Sequence, residues 1–544
     1  MGAETAPTAL AQAAKKMGDP AALDLLSSLV AIAPTNLEDP AHSRWEKPHY
    51  AAAMDRILRA ARERGFATRI YNPTADPSFE GTIAGPGPRP NGIIDLDVGA
   101  KRRVLIMAHY DVVPVPEEQR SHWRSPPFTL TARADGRLYG RGSNDDLGSG
   151  VVASLTAMAS LAKERALSAN VRLLICCDEE TGGEGGIEAV REHDAQLETD
   201  DPERILRADV VLIPDGSPHT TAGSSGVAFL DATAKQPISL SRTLDYGERL
   251  LQIHELARTW KSRLASEDWP KFNAPEPTVT GRATLTKFDF SASGTAGPRP
   301  RVALVHTETE AANQIARSVT IAFDGPTRDV ADLTSRLSPL LASPFRIEPV
   351  IASGARIPSG TSSISVVGLS GHGGYPHRAR NPVPIALELL RTAAARGWID
   401  ANALGDPAFV VDLRLPPEME LAPGKAAVFA SLAPWVRDSL PEAEIVAPPG
   451  RGRSGYALPV DHPDVQRLAA IMGNVFHEPG IFGEYGGTDA SSLRGLTTPG
   501  GHPLPALVFG SMDRNAHIHE AEESLDPSLF AGVVEVMRRF ILGC

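Results

Sequence analysis

The sequence predicts an α/β domain, with a mostly parallel sheet covered by helices on both faces, interrupted by an inserted two-layer α+β domain. Two observations carry this prediction. Apolar runs alternate with helical periodicity over the first 220 residues, and the same alternation returns from about residue 458. Strands that alternate with helices form parallel sheets buried on both faces. We therefore expect residues 1–222 and 458–544 to form the main domain and residues 223–457 the insertion.

The main domain begins with helix and strand patterns in turn. Helical periodicity marks DPAALDLLSSLVAIA and, more strongly, YAAAMDRILRAARERGF. Short apolar runs that end in polar residues predict strands at RRVLIMAHYD, VRLLICCDEE and ADVVLIPDG, with a helix at LGSGVVASLTAMASLAKERA. Such sheets hold their chemistry in the crevice beyond the C-terminal ends of the strands.

The inserted domain is less regular at its start. Residues 272–301 are rich in Pro, Gly, Ser and Thr, which predicts loops with short strands. Strand and helix patterns then alternate through SVTIAFDG, RDVADLTSRLSPLLA and FRIEPVIAS, and again through TSSISVVGLSG, NPVPIALELLRTAAARG, AFVVDLRLP, GKAAVFASLAPWVRDSL and AEIVAPP. The second run repeats the pattern of the first with little residue identity, which suggests two related halves in tandem.

The final segment returns to the main domain. Helical periodicity marks HPDVQRLAAIMGNVF and PSLFAGVVEVMRRFIL. Between these helices the sequence predicts the glycine-rich loop FGEYGGTDASS and the strand LPALVFG.

Charge and cysteine content exclude several classes of protein. Lys and Arg number 54 against 66 Asp and Glu, and there is no dense basic block, so nucleic acid and anionic membranes are not expected partners. Three cysteines provide no disulfide framework and indicate a reducing compartment. The N-terminus lacks the pattern of a signal peptide, and no apolar run has membrane length. These features predict a cytoplasmic protein.

Acids and histidines recur where the predicted strands end. The candidates are His109, Asp111, Asp145, Asp146, Glu179, Glu180, Asp215, His517 and His519. Imidazole and carboxylate groups bind borderline-soft ions such as zinc, and one carboxylate can bridge two ions with a water that becomes a nucleophile near neutral pH. A cation on Glu180 would offset its repulsion with Glu179, and Glu179 could then act as a general base.

Each of these elements also has a simpler interpretation. A lone His-x-Asp is more often a surface pair, paired aspartates before a helix are most often N-caps, and an Asp-Gly is usually a turn. The Cys176–Cys177 pair fits an ordinary strand core. Only the joint pattern, in which acids and histidines follow successive apolar runs, favours a metal site.

Six motifs stand in a fixed order along the chain: HYDVVP, YGRGSNDD, DEETGG, IPDG, GHGGYPHRARNPV and GGTDAS. As an ordered set they resemble zinc metallopeptidase family twenty, which includes aminoacylase, carboxypeptidase G, succinyl-diaminopimelate desuccinylase, carnosinase and the PepV-type dipeptidases. The resemblance covers nearly the whole chain except about residues 223–300. It implies that the main domain is catalytic and that the insertion is a lid of the kind through which members dimerise.

The resemblance also implies a site with two zinc ions, for which cobalt or manganese could substitute. Its metal ligands would be His109 and Asp215 on one ion, Glu180 and His519 on the other, and Asp145 bridging both. Glu179 would be the base, and Asp111 would orient His109. His519 is preferred to His517 because a Glu follows it four residues later, as in the family.

Further roles follow for the insertion and for one glycine-rich loop. His372 would stabilise the oxyanion, Arg414 would bind a substrate carboxylate, and Asn381 would bind nearby. The backbone of Gly486, Gly487 and Thr488 would approach the substrate; this list completes the predicted site.

Two features depart from the usual family pattern. Leu147 stands where members usually have Lys, two residues after the bridging Asp, which would retune the metal-bound water or shift substrate preference. The long insertion resembles the doubled lid of the PepV-type dipeptidases. We expect either a monomer with a doubled lid or a homodimer.

The expected function is zinc-dependent hydrolysis of a C–N amide or peptide bond in a small carboxylate-bearing substrate, as in a dipeptidase or other exopeptidase. The alternative within this class is deacylation of an N-acyl amino acid, as in an aminoacylase or a desuccinylase. Two remoter alternatives are a non-catalytic metal-binding module and a metal-free scaffold with acidic loop ends.

Overall fold

The computed structural model describes residues 6–544 except for positions 36–47, 80, 82–86, 116, 165–166, 199–200, 259–281, 294–298, 310–313, 326, 350–356, 359–360, 375, 377–378, 418–442, 447–451, 478–479 and 485. Its α-helices are α1 (Ala6–Met17), α2 (Pro20–Ile32), α3 (Pro48–Glu63), α4 (Glu117–Arg120), α5 (Ala153–Leu161), α6 (Ile187–Ala195), α7 (Leu240–Ala257), α8 (Thr327–Leu337), α9 (Pro382–Ala395), α10 (Pro463–Phe476) and α11 (Pro527–Leu542).

The strands of the first 240 residues are β1 (Ala67–Tyr71), β2 (Asn91–Leu96), β3 (Arg102–His109), β4 (Thr131–Ala132), β5 (Leu138–Tyr139), β6 (Ala169–Cys176), β7 (Val210–Ile213), β8 (Thr220–Ser224), β9 (Gly226–Ala234) and β10 (Ile238–Ser239). The later strands are β11 (Arg282–Ala292), β12 (Arg301–Thr307), β13 (Gln314–Ile315), β14 (Ser318–Asp324), β15 (Arg346–Pro349), β16 (Ser362–Val367), β17 (Gly371–His372), β18 (Leu404–Leu415), β19 (Ala443–Val446), β20 (Gly452–Arg453), β21 (Tyr456–Ala457), β22 (Ile481–Glu484), β23 (Ala506–Val508) and β24 (Ser524–Leu525).

These elements form two compact units. One contains the described residues up to Ser224 and from Gly455 onward, and the other contains the described residues from Ser225 to Ser454. We call them the α/β unit and the inserted unit.

The α/β unit is built on a nine-stranded mixed sheet. Its strand order is β1-β2-β6-β3-β7-β23-β8-β21, and β22 pairs with β8. The four central strands β6, β3, β7 and β23 are parallel, whereas β1, β2 and β21 pair in antiparallel fashion at the flanks. The predicted parallel arrangement therefore holds at the centre, which is where the ligand-bearing strands lie, and the flanks make the sheet mixed.

Both faces of this sheet are buried, as the sequence predicts. Along β3, Val104 and Ile106 pack into one hydrophobic core, and Leu105 and Met107 pack into another. The first core also takes side chains from α1, α2, α3, α5, α10 and α11, and the second takes them from α6. Because successive side chains of a strand point to opposite faces, the continuous apolar run of β3 serves both cores.

The inserted unit is a two-layer α+β structure with a ten-stranded sheet. The strand order is β15-β16-β14-β12-β11-β18-β9-β19, with β10 on β18 and β20 on β9, and each pair is antiparallel. Helices α7, α8 and α9 contribute their apolar side chains to one core with the strands. The predicted helix within residues 424–440 lies outside the described residues.

The loop-rich interpretation of residues 272–301 is wrong for its centre. Residues Arg282–Ala292 form an eleven-residue strand that pairs with β18 along its length. Thr and Ser are abundant in this run, but its residues alternate between buried and less buried positions, as a half-buried strand requires. The 18-residue helix α7 precedes this region, and Gly247 lies on its buried side.

Gly247 has a packing reason. A Cβ atom at that position would lie 2.8 Å from Leu387 Cδ2 and 3.1 Å from Phe409 Cε1. The glycine therefore lets α7 approach both α9 and β18 closely.

Among the described residues, none of the helices combines the length and the apolarity needed to cross a membrane.

Candidate metal centre

The predicted site residues of the α/β unit gather at one edge of its sheet. His109 is the last residue of β3, Glu179 and Glu180 begin a 3₁₀ turn just after β6, and Asp215 follows β7 by two residues. These three strands are parallel neighbours, so their C-terminal ends meet at the same edge. Asp145 precedes a π turn at Leu147–Val152.

Asp145 lies between the two histidines. Its Oδ1 is 3.3 Å from His109 Nε2, and its Oδ2 is 3.1 Å from His519 Nε2. The side chains of His109 and Asp145 are 2% and 8% exposed, so this contact is closed off from bulk solvent. One carboxylate thus presents one oxygen to each half of the site, which is the arrangement that a bridging ligand needs.

The remaining predicted ligands flank this line. Glu180 Oε2 is 3.0 Å from His519 Nε2, and Asp215 Oδ2 is 3.9 Å from His109 Nε2. Candidate ligand atoms of His109, Asp145 and Glu180 lie within 4.8 Å of one another. The donors are imidazole nitrogens and carboxylate oxygens, a set that suits a divalent ion.

Burial makes the clustered acids difficult to ionise without a cation. Burial raises the pKa of Glu180 to about 7, although His519 opposes the rise. Burial also raises the pKa of Asp215 well above its ordinary value, against the charge of His109, and Asp145, Glu179 and Asp489 add to the rise. A bound cation would offset these costs. The residues present therefore fit a metal centre.

The histidines and Asp145 shift in the directions that their contacts dictate. Burial lowers the pKa of His109 and of His519, but neighbouring carboxylates outweigh it, and both pKa values lie well above the ordinary value. Burial raises the pKa of Asp145, but hydrogen bonds with His109 and His519 outweigh it, and the pKa falls well below the ordinary value. A metal that binds to the metal-free protein must therefore displace protons from both imidazoles.

Glu179 is partly buried beside both halves of the site. Its charge contributes to the raised pKa of Glu180 and of Asp215, after burial as the main cause in each. The carboxylate is therefore close enough to both residues for its charge to influence them, which is the position that a shared base requires.

Asp111 supports two elements at once. His109 Nδ1 lies 3.0 Å from the backbone oxygen of Asp111 and 3.4 Å from its Oδ1, which directs Nε2 toward Asp145. The same carboxylate accepts hydrogen bonds from the backbone N–H groups of Glu179 and Glu180, at 3.1 and 3.2 Å. It therefore ties the end of β3 to the turn that carries both glutamates.

Asp178 anchors the other side of this turn. It adopts the left-handed conformation with φ 58°, and its carboxylate accepts from Arg89 Nε at 2.6 Å and from the Tyr50 hydroxyl at 3.0 Å. Both ion-pair partners are nearly fully buried. The sequence showed an acidic triplet but not that its first acid serves the fold.

Two further acids, which the sequence did not predict as ligands, lie beside these residues. Candidate ligand atoms of Asp146 and Asp215 group with His109, and Asp146 Oδ2 accepts from the His109 backbone N–H at 3.2 Å. Asp489 is buried in a 3₁₀ turn at Asp489–Leu493, and its charge reaches Asp215. The doublet in GSNDD and the acid in GGTDAS were the available signals.

Two positions that the sequence left open are now located. His517 is 47% exposed and contacts Glu520, with Nδ1 3.4 Å from Oε2, whereas His519 is 11% exposed and contacts Glu180. The structure thus brings His519 into the cluster. Leu147 is fully buried in the hydrophobic core of the α/β unit.

The glycine-rich loop ends in a helical cap. Thr488 caps the 3₁₀ turn that follows it, with its Oγ1 accepting from Ala490 N–H at 3.4 Å. Gly486 is partly buried and Gly487 is exposed.

The predicted residues of the inserted unit have structural partners of their own. Asn381 caps α9 by accepting from Val383 N–H at 3.0 Å, and its Nδ2 donates to Leu285 O at 2.7 Å. Arg414 is buried on β18, where its Nε and Nη2 each donate to Asp412 at 2.7 Å. His372 ends β17, which pairs with β13.

The α/β unit thus carries imidazoles and carboxylates clustered beyond its strand ends, and the chain also contains an inserted α+β unit. The family model described as "Peptidase family M20/M25/M40" matches residues 105–543. The chain therefore belongs to peptidase family M20/M25/M40.

Curated relatives match over shorter stretches. The Cys-Gly metallodipeptidase dug1 of Schizosaccharomyces pombe is 34% identical over 146 residues, which cover 25% of this chain and 28% of the relative. A succinyl-diaminopimelate desuccinylase of Delftia acidovorans is 42% identical over 107 residues, 18% of this chain and 26% of the relative. The chain thus spans only about a quarter of the length of these relatives.

The fold likeness extends much further. Human carnosine dipeptidase 1 has a TM-score of 0.56 at 13% identity, covering 98% of this chain and 99% of that chain. At this identity the likeness concerns the fold alone.

Proposed function

We propose that this protein is a metal-dependent hydrolase that cleaves a C–N amide or peptide bond in a small carboxylate-bearing substrate. The observation that carries the proposal is the contact of the two Asp145 oxygens with His109 on one side and His519 on the other. Family membership supports it.

Two ions would share this site. His109 and Asp215 would hold one, Glu180 and His519 would hold the other, and Asp145 would bridge them. Zinc suits this donor set, and cobalt or manganese could substitute. When bound, such ions polarise a carbonyl and lower the pKa of a water.

Glu179 would carry the proton during the reaction. Its carboxylate, close to both halves of the site, would take a proton from the attacking water and later give it to the leaving amine. Asp111 would keep Glu179 in place, because it holds the backbone N–H of that residue.

Two kinds of substrate fall within this chemical class. We favour a dipeptide, because the match to the Cys-Gly metallodipeptidase covers 146 residues and the match to the desuccinylase covers 107. Deacylation of an N-acyl amino acid is the second candidate. A non-catalytic metal-binding module is a remoter one, which the presence of Glu179 disfavours.

The substrate-binding roles stay proposals. His372 would stabilise the oxyanion, Arg414 would bind the substrate carboxylate, and Asn381 would bind nearby. Gly486, Gly487 and Thr488 would supply backbone contacts. The pairing of Arg414 with Asp412 would hold its guanidinium in a fixed orientation.

We also propose that the protein works in the cytoplasm, either as a monomer with a doubled lid or as a homodimer. The sequence has three cysteines, and the thiols of Cys176 and Cys177 are buried in the α/β unit. A reducing compartment suits such thiols.

A chelation experiment with a substrate panel tests the proposed function. Protein dialysed against a chelator should lose hydrolysis of the panel, and zinc, cobalt or manganese should restore it. A preference for free dipeptides over N-acyl amino acids would assign a dipeptidase, and the reverse preference a deacylase. Hydrolysis that survives chelation, with no metal bound to the protein, would refute the proposal.

A further inference from the structure

The loop that carries His519 has an unusual backbone. Between β23 and β24, three residues that are not glycine adopt positive φ: His517 at 51°, His519 at 63° and Glu522 at 69°. Side chains disfavour this region, so such residues persist where the surrounding structure fixes them. Contacts with the rest of the α/β unit must therefore hold this loop, which we call the His519 loop.

Three arginines, each four residues from the next, pair with acids of this loop. Arg137 donates from Nη1 and Nη2 to the two oxygens of Asp513, at 2.8 Å each. Arg133 donates from Nη2 to Glu522 Oε1 at 2.9 Å, and Arg141 donates from Nη1 to Glu523 Oε2 at 2.6 Å. We call Arg133, Arg137 and Arg141 the arginine ladder.

The Arg141–Glu523 pair is the most deeply buried of the three, with both side chains 1% exposed. Glu523 Oε1 also accepts from the backbone N–H groups of Asn144 and Asp145, at 3.0 and 3.2 Å. The same carboxylate therefore fixes the backbone of the bridging residue Asp145 and the end of the His519 loop.

Gln119 completes the connection to His519. Arg141 Nη2 donates to Gln119 Oε1 at 3.1 Å and to Glu520 O at 3.2 Å, and Gln119 Nε2 donates to His519 O at 3.2 Å. The chain of contacts runs from Asp145 through Glu523, Arg141 and Gln119 to His519. Because the amide group of Gln119 joins Arg141 to His519, its two contacts set the position of the His519 backbone.

We propose that Gln119, Arg141 and Glu523 are positioning residues that set the affinity of the ion held by Glu180 and His519. This inference rests on the proposed metal centre. The ion on the His109 side depends on them less, because β3 is held on both sides by sheet hydrogen bonds. A purely structural role would instead lower stability without distinguishing between the two ions.

The test is a titration of the full-length, metal-stripped protein with Co²⁺ alone, followed by absorption and by competition with a chelator. Gln119→Ala should weaken the binding of the ion held by Glu180 and His519 by about tenfold or more, the range seen when a residue supporting a ligand is lost. The affinity for the other ion should change by less than about twofold. Glu523→Gln should weaken the binding of the same ion more strongly, and to a smaller extent that of the other ion, because Glu523 also holds the backbone of the bridging residue Asp145. Thermal melting of each metal-free variant reports its folding.

Matched controls separate this effect from general damage. Gln466→Ala removes another glutamine whose Nε2 donates to a backbone carbonyl, that of Val460, at 2.7 Å. Asp95→Asn removes the charge from the partly buried ion pair with Arg172, whose other contacts go to the backbone of residues 204–205. Both controls should bind two ions with wild-type affinity.

The outcomes are distinguishable. Wild-type protein with two ions and a Gln119→Ala variant with both affinities unchanged would overturn this inference alone. Equal weakening of both ions in Gln119→Ala would also overturn it. A wild-type protein that binds no cobalt would overturn the proposed function and this inference together. If Glu523→Gln fails to fold, Gln119→Ala still decides the question.

Discussion

His109 and His519 face the same carboxylate, but the chain holds them in different ways. His109 ends β3, a central strand that pairs with β6 and β7. His519 lies in a loop with three positive-φ residues, held by ion pairs that include one between residues 382 positions apart. One half of the centre is thus fixed by the sheet and the other by side chains. A single metal centre can therefore combine a half that the sheet holds rigidly with a half that depends on buried charge.

Substituting Asp145 should have the largest effect, since this residue contacts both halves. Asparagine offers one carbonyl oxygen and no charge. Asp145→Asn should therefore lower the affinity for both ions by more than about 100-fold, beyond the range for residues that only support a ligand. Elemental analysis and chelator competition measure the result. Two tightly held ions in the variant would show that this carboxylate does not join the halves.

Removing the imidazole of the loop should affect one half only. His519→Ala should lower the affinity for the ion on that side by about 100-fold, because Glu180 would remain without its imidazole partner. The affinity for the other ion should stay nearly unchanged. His517→Ala is the matched control, since that exposed side chain lies in the same loop. If His517→Ala abolished binding and His519→Ala did not, the assignment of the loop ligand would be reversed.

Lowering the pH should reduce the affinity for the ion held by Glu180 and His519 by more than tenfold. The pKa of Glu180 is raised to about 7 by burial, and the pKa of His519 lies well above its ordinary value because carboxylates outweigh burial. A metal needs the ionised carboxylate and the neutral imidazole, so both protons must leave. Affinity should therefore fall as pH decreases below about 7, by up to about tenfold per pH unit for each proton displaced.

This pH dependence is measured by competition titrations between about pH 6 and 8. Calorimetry in two buffers with different ionisation enthalpies counts the protons released. An affinity that stays constant, with no proton release, would show that the two groups are already in their metal-binding forms.

Substituting Arg133, the most exposed arginine of the arginine ladder, should have the smallest effect on the protein. Arg133 and its partner Glu522 are 18% and 20% exposed, so solvent weakens the attraction between them. Exposed ion pairs contribute about 0.2–1 kcal/mol, and this pair is partly exposed, so Arg133→Gln should lower the free energy of unfolding by about 1 kcal/mol, near the upper end of that range. Arg141→Gln, which removes the most buried arginine of the arginine ladder, should lower the free energy of unfolding by a larger amount. Urea denaturation compares them, and an equal loss in both variants would contradict the graded account.

The ligand positions that follow strands, in both halves of the site, could be predicted from the sequence to a large extent. His109, Glu180 and Asp215 each stand close to the end of an apolar run, and parallel strands must align those ends. That argument needs only local pattern and the geometry of sheets. The ordered motifs then supplied the roles.

The position of His519 could not be predicted in the same way. The family spacing of His519 and Glu523 selected one histidine, but nothing local shows that Glu523 holds the backbone of Asp145, since that contact spans 378 residues. A glutamate in a polar loop usually faces water. Its burial follows from tertiary packing with Arg141, which sequence pattern does not reveal.

The most direct test of the central claim is to compare wild type with Glu179→Gln for bound metal and for hydrolysis of the dipeptide that the substrate panel selects. Glutamine keeps the shape of the side chain but cannot take a proton. We expect about two ions per chain in both proteins and a rate about 10²–10⁴-fold lower in the variant. Retained metal with an unchanged rate would show that Glu179 is not the base. A chain that binds no metal in either form would contradict the account at its foundation.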